Sequence, residues 1–168
     1  IRPGTAVFFD AQQAGLAGGL DACAAHVLAT VVSRSGDRAI LDAGSKSLTS
    51  DGIRDGVLAV RGFGSLRSGG TVTRVSEEHG VVEGPDAQAL AVGDRVEIVP
   101  NHVCPVVNLF DRLVLVEDGQ VARILPVATR GRVAWEGGGR SDAPVLRRRA
   151  PPRSRPFAPP RRPAAGRG

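Results

Sequence analysis

Tyrosine and methionine are absent from this 168-residue sequence, lysine and tryptophan occur once each (Lys46 and Trp135), and cysteine occurs twice (Cys23 and Cys104). Each scarcity excludes something. Two cysteines cannot build the cross-linked framework of a small secreted domain. No apolar run approaches the roughly 20 residues that a membrane-spanning helix needs. Without tyrosine, no phenol can act as an acid or base, and a single lysine leaves one candidate for Schiff-base chemistry. The opening Ile1-Arg2-Pro3-Gly4 has neither a start methionine nor the charged-then-apolar pattern of a signal peptide. With methionine missing throughout, the chain reads as a piece of something longer.

What is present is unevenly spread. The formal net charge is +5, yet residues 136–168 hold nine arginines against two acids, Glu136 and Asp142. The remaining residues 1–135 are therefore close to neutral, and the high overall basicity is no signature of nucleic-acid binding by a folded domain. Residues 136–168 also hold seven of the 12 prolines, in runs such as Pro159-Pro160-Arg161-Arg162-Pro163. With only Val145, Leu146 and Phe157 as apolar bulk, this segment cannot offset its ordering entropy and is expected to be a disordered Arg/Pro-rich tail. Gly137-Gly138-Gly139 marks the boundary.

Residues 1–135 read as mainly β, without an internal repeat. The β-branched run Val27–Val32 and the segment Arg38–Asp42 flank Ser33-Arg34-Ser35-Gly36, a hairpin pattern. Alternation predicts half-buried strands over residues 71–76 and 94–99. Leu113–Val116 and Val121–Leu125 flank Glu117-Asp118-Gly119-Gln120, and Asp-Gly is a strong hairpin turn. Residues 11–25 are alanine-rich and helix-compatible, but Gly15, Gly18 and Gly19 weaken that reading. Short strands at this spacing predict a barrel or sandwich.

Three segments carry reactive side chains. Pro100-Asn101-His102-Val103-Cys104-Pro105 follows a strong strand. In an extended segment residues i and i+2 share a face, so His102 and Cys104 would project together as ligands for a borderline metal such as zinc. Two ligands suit an open site, not a closed structural one. The alternative is a buried cysteine beside a hydrogen-bonded histidine, packing only. Ser76-Glu77-Glu78-His79-Gly80 places an imidazole and two carboxylates at a strand end. His79 is either an acid, base or further ligand, or part of a solvated turn. Lys46 lies in the polar stretch Asp42–Asp51, as a Schiff-base candidate or simply a surface lysine. The glycines of Gly62-Phe63-Gly64-Ser65-Leu66-Arg67 lack the third position of a dinucleotide fingerprint.

Taken in order, Gly4–Asp10, Ile40–Lys46, Ser76–Gly80, Gly93–Val96 and Pro100–Pro105 resemble the C-terminal domain of the D-serine dehydratase/D-threonine aldolase family. The resemblance covers about residues 3–131. It implies a barrel-like C-terminal β-domain of the alanine-racemase type. It implies that His102 and Cys104 hold Zn2+ or another divalent metal, and that the complete enzyme binds pyridoxal phosphate through a lysine of an N-terminal barrel. Lys46 does not match that lysine, so the resemblance implies that this chain binds no pyridoxal phosphate covalently. It further implies lyase chemistry on a D-amino acid with a β-hydroxyl, by elimination or retro-aldol cleavage, in a cytoplasmic homodimer. Cysteine as the second ligand favours the dehydratase-like members. The sequence departs from the family at Ala6, where tyrosine is common, and in its tail. The rival expectation is a non-catalytic orphan β-module whose basic tail binds anionic partners.

Overall fold

The computed structural model describes residues 4–52, 62–128 and 130. The chain divides into two units, Ile1–Val133 and Ala134–Gly168. The second lies outside the described residues, and with it the expectation of a disordered tail.

In the first unit a short turn of 3-10 helix, Thr5–Val7, precedes α1 (Ala14–Ala17) and a second such turn, Leu20–Ala22. Then come β1 (Val27–Ser35), β2 (Arg38–Leu41), α2 (Ser45–Leu48), β3 (Gly64–Leu66), β4 (Val72–Val75), β5 (Gly80–Glu83), α3 (Pro85–Gln88), β6 (Arg95–Pro100), α4 (Val103–Leu109), β7 (Arg112–Glu117) and β8 (Gln120–Pro126).

Six strands form one antiparallel sheet in the order β3-β6-β1-β2-β5-β4. Its two edges approach each other. Ser65 bridges to Thr71, and the Phe63 amide donates to the Val72 carbonyl across 2.9 Å. The sheet is thus a nearly closed barrel, an arrangement that leaves few exposed edges. Alternation along the strands sends Val27, Ala29 and Val31 of β1, Val96 and Ile98 of β6, and Val82 of β5 into its interior. Leu48 of α2, Ala87 of α3 and Val106 of α4 join the same core. β6 is also buried on its other face. There Val99 packs with Ala11, Ala14 and Cys23 in a second apolar cluster, laying the N-terminal segment across the outside of the sheet.

The predicted strands form with small changes of limit. β1 runs on to Ser35, so the first hairpin turns at Gly36 (φ 59°), later than Ser33. β7 and β8 pair as a separate hairpin whose turn, Asp118 (φ 50°) and Gly119 (φ 73°), has the two positive φ angles that match strand twist. The helix-compatible stretch 11–25 forms only α1 and the turn at Leu20–Ala22, as its glycines suggested. Gly18 (φ 98°) and Gly19 (φ 105°) take left-handed conformations that end α1. β3, unanticipated, occupies the stretch Gly64–Leu66 within the rejected glycine motif. A β-carbon at Gly64 would lie 2.7 Å from a side-chain methyl of Ile98, so this strand needs glycine to pair with β6.

Candidate metal-binding turn

β6 ends at Pro100 in the buried wall of the barrel, and the chain then turns through Asn101 and His102 into α4. His102 remains extended (φ −137°, ψ 107°), while Cys104 lies within the first helical turn. The expectation that both belong to one extended segment is therefore corrected, and the alternation argument for a shared face does not apply. The physical reason is Pro105. It stands in the first turn of α4, where its missing N–H costs nothing, so it opens a helix instead of prolonging a strand.

The side chains of the turn divide into buried supports and accessible donors. Asn101 is fully buried, and its amide donates to the carbonyls of Asp51 (3.0 Å) and Gly62 (2.7 Å). Asp10 is 1% exposed, and its Oδ2 accepts the Val103 N–H across 2.9 Å. By contrast, His102 is partly exposed and Cys104 is exposed. His102 Nδ1 lies 3.9 Å from Asp51 Oδ2, beyond hydrogen-bond reach, and Cys104 Sγ lies 3.4 Å from Thr5 Oγ1. Cys104 is thus not the buried packing cysteine of the alternative reading. That description fits Cys23, which is 2% exposed and whose thiol is pushed up by burial and by the charge of Asp10.

Imidazole and thiol are a donor set suited to zinc and similar borderline ions, and both are open to solvent here. Among the described residues no group of three or more His, Cys, Asp or Glu side chains gathers to form a metal cage. The turn offers two candidate donor side chains, His102 and Cys104.

His79 lies elsewhere, in the exposed connection between β4 and β5. Its amide and carbonyl bond to Ser76, as in an ordinary tight turn. Lys46, on α2, reaches Glu78 Oε1 at 2.7 Å and Glu77 Oε2 at 3.0 Å. Those hydrogen bonds, Glu78's first, hold its ammonium above the ordinary lysine range. The two polar motifs that the sequence separates are therefore one surface feature, and α2 packs on α4. Sequence reading missed Thr5, Asp10, Asp51 and Asn101. All four lay inside quoted segments, but nothing in the sequence marked Asp10 and Asn101 as buried or gave Thr5 and Asp51 a role.

A nearly closed antiparallel barrel carrying an accessible His-x-Cys turn at the end of a wall strand defines the class: a barrel-like β-domain. Residues 24–116 match the family model of the putative serine dehydratase domain, and the chain belongs to that family. It is 46% identical over 107 residues to D-threonine aldolase of an Arthrobacter species, a match covering 62% of this chain and 26% of that protein. It is 39% identical over 114 residues to an uncharacterized protein of Mycobacterium tuberculosis, covering 63% of this chain and 83% of that one. The chain thus spans about a quarter of the aldolase, but most of the mycobacterial protein. An alanine racemase-like protein of Idiomarina loihiensis superposes with a TM-score of 0.64 at 25% identity, over 73% of this chain and 36% of that one. D-threo-3-hydroxyaspartate dehydratase of Delftia sp. HT23 does so with a TM-score of 0.60 at 27% identity, over 73% and 37%. Two further structures of an enzyme of that name are a metal-free variant with a cysteine changed to alanine and a variant with a histidine, two positions earlier, changed to alanine.

Proposed function

We propose that this chain is the metal-binding β-domain of a lyase acting on D-amino acids with a β-hydroxyl, and that His102 and Cys104 are its ligands for Zn2+ or a similar divalent ion. The observation that carries this reading is the turn itself. An imidazole and a thiol, one residue apart, stand accessible beside a rigid, buried support. The same two residue types at the same spacing are altered in the dehydratase variants, one of which is metal-free. A divalent ion held there would supply Lewis acidity toward a substrate hydroxyl.

This chain's residues bind and orient; they do not furnish the carbonyl cofactor's anchor. Lys46, the only lysine, is exposed and paired with two carboxylates, which keeps it protonated and a poor nucleophile. Pyridoxal phosphate would be held by an N-terminal barrel corresponding to the part of the aldolase that this chain does not cover. In that assembly the partners are the barrel, a D-amino acid and a second subunit, in the cytoplasm. No helix among the described residues is long and apolar enough to cross a membrane.

The test has two stages. Cys104→Ala should abolish stoichiometric zinc binding by the chain, while Cys23→Ala should leave it intact. Mixing the chain with a family barrel domain should produce breakdown of D-serine or D-threonine that Cys104→Ala largely removes. Equal zinc binding by the wild type and the His102→Ala/Cys104→Ala double variant rejects the reading.

A second reading, a β-module without catalysis of its own, is favoured by the mycobacterial relative, 83% of which is covered by this domain. It predicts zinc binding with no activity on adding the barrel.

A further inference from the structure

We infer that Asp10 is a positioning residue for the His102–Cys104 pair, fixing the turn that presents both side chains. This role rests on the metal reading of that pair.

The N-terminal segment meets the turn at three points. Asp10 Oδ2 accepts the N–H of Val103, the residue between the two proposed ligands, across 2.9 Å. The Ala11 amide donates to the Pro100 carbonyl across 3.0 Å. Thr5 Oγ1 lies 3.4 Å from Cys104 Sγ. The first two bonds bracket Asn101 and His102, so the backbone that carries His102 is held from both sides.

Two features separate this contact from ordinary packing. Phe9 adopts φ 55°, a left-handed conformation that residues other than glycine rarely take, immediately before Asp10. The chain is bent at that point, where Asp10 is buried. Asp10 is also an expensive choice for a buried position. It is 1% exposed, its Oδ2 holds the Val103 amide, and its Oδ1 has no hydrogen-bond partner among the described residues. Packing alone would be served by an apolar residue, since the adjoining Phe9 and Ala11 both belong to the apolar cluster of Ala14, Cys23 and Val99. A carboxylate there does one thing an apolar residue cannot: it captures the free amide at the start of α4, and so sets the angle at which His102 and Cys104 leave the wall of the barrel. Groups that orient metal ligands from behind typically change metal affinity by roughly 10- to 100-fold when removed.

The experiment measures zinc affinity of the full chain by competition with a chromogenic chelator, alongside the cobalt(II) spectrum, whose sulfur-to-metal band reports ligation by Cys104. Five proteins are compared: wild type, Asp10→Ala, Asp10→Asn, Val82→Ala as a stability control in the barrel interior, and the His102→Ala/Cys104→Ala double variant. Asp10→Ala is expected to weaken zinc binding roughly 10- to 100-fold and to diminish the cobalt–sulfur band. Asp10→Asn keeps an acceptor for the Val103 amide and is expected to stay within about threefold of wild type. Val82→Ala is expected to lower the melting temperature and leave zinc affinity unchanged. Amide exchange at Val103 should be slow in the wild type and Asp10→Asn and fast in Asp10→Ala.

Wild-type affinity in Asp10→Ala, or equal losses in Asp10→Ala and Asp10→Asn, overturns the positioning role while the ligand assignment stands. An Asp10→Ala loss no greater than that of Val82→Ala does the same. Zinc binding by the double variant equal to the wild type overturns the ligand assignment, and the positioning role with it.

Discussion

The amide of Ser45 donates to the carbonyl of Ser76 across 2.8 Å, which docks the start of α2 into the connection between β4 and β5. The Lys46 amide follows with the Glu77 carbonyl at 3.0 Å. Gly44 makes this approach possible. A β-carbon there would fall on the Ser76 carbonyl oxygen, 2.5 Å from the His79 nitrogen and 2.6 Å from the Glu77 oxygen. Its φ of −112° is open to any residue, so only the closeness demands glycine.

Gly44→Ala is therefore expected to destabilise the domain by about 1–3 kcal/mol, the usual cost of forcing an extra carbon into a filled space. The clash is with backbone, which cannot swing aside as a flexible side chain would. Equilibrium urea unfolding checks it: the midpoint should fall with the slope unchanged. A midpoint equal to wild type would show that the two loops part without cost.

The ion pairs of Lys46 on the same surface should matter little to stability. All three side chains are exposed, with Lys46 at 57%, and solvent and salt screen such pairs until they contribute little. Lys46→Met should shift the urea midpoint only slightly. Because the two glutamates hold the lysine protonated, borohydride treatment with low pyridoxal phosphate should trap no stoichiometric adduct on it. A one-to-one adduct would overturn the view that this chain contributes no cofactor anchor.

The two cysteines should behave oppositely toward alkylating reagents. Cys104 is exposed, whereas Cys23 is buried, and its thiol is raised by burial and by Asp10. In the native chain near pH 8, one thiol should react readily with iodoacetamide, and peptide mapping should place the label on Cys104. Cys23 should react only on unfolding. Zinc should slow labelling at Cys104 without affecting Cys23.

Histidine 26 gives the domain a predictable response to acid. Burial, then the nearby charge of Arg67, lower its pKa, Glu97 opposing, and its Nε2 has no hydrogen-bond partner among the described residues. The unfolded chain therefore takes up the His26 proton more readily than the folded one. Well above the ordinary value of about 6.5 both states hold the neutral ring and His26 does not affect stability. As the pH falls below that value the unfolded state gains the proton first, and stability declines until the folded-state value is passed. Urea unfolding of wild type and His26→Gln between pH 7 and pH 5 checks this. The wild type should lose more stability over that range than the variant, and parallel losses would refute the assignment.

Much of the barrel was legible because its signals are local. Val27–Val32 is a β-branched run closed by turn residues, Asp94–Val99 alternates with the period of a strand lying against a core, and the Asp118-Gly119 turn follows from two positions that must take positive φ. The ordered motifs from Gly4 to Pro105 were enough to place the chain in its family. β3 escaped notice because three residues carry no period, and its stability comes from pairing with β6, far along the chain. The His102–Cys104 turn shows the division most clearly. The residue types, and hence the ligand chemistry, belong to the sequence. Where the amide at the start of the helix that Pro105 opens would find its acceptor was decided by the tertiary structure: Asp10, 93 residues from Val103, supplies it. Its burial depends on the N-terminal segment packing across β6. A contact of that range leaves no periodicity in the chain that makes it.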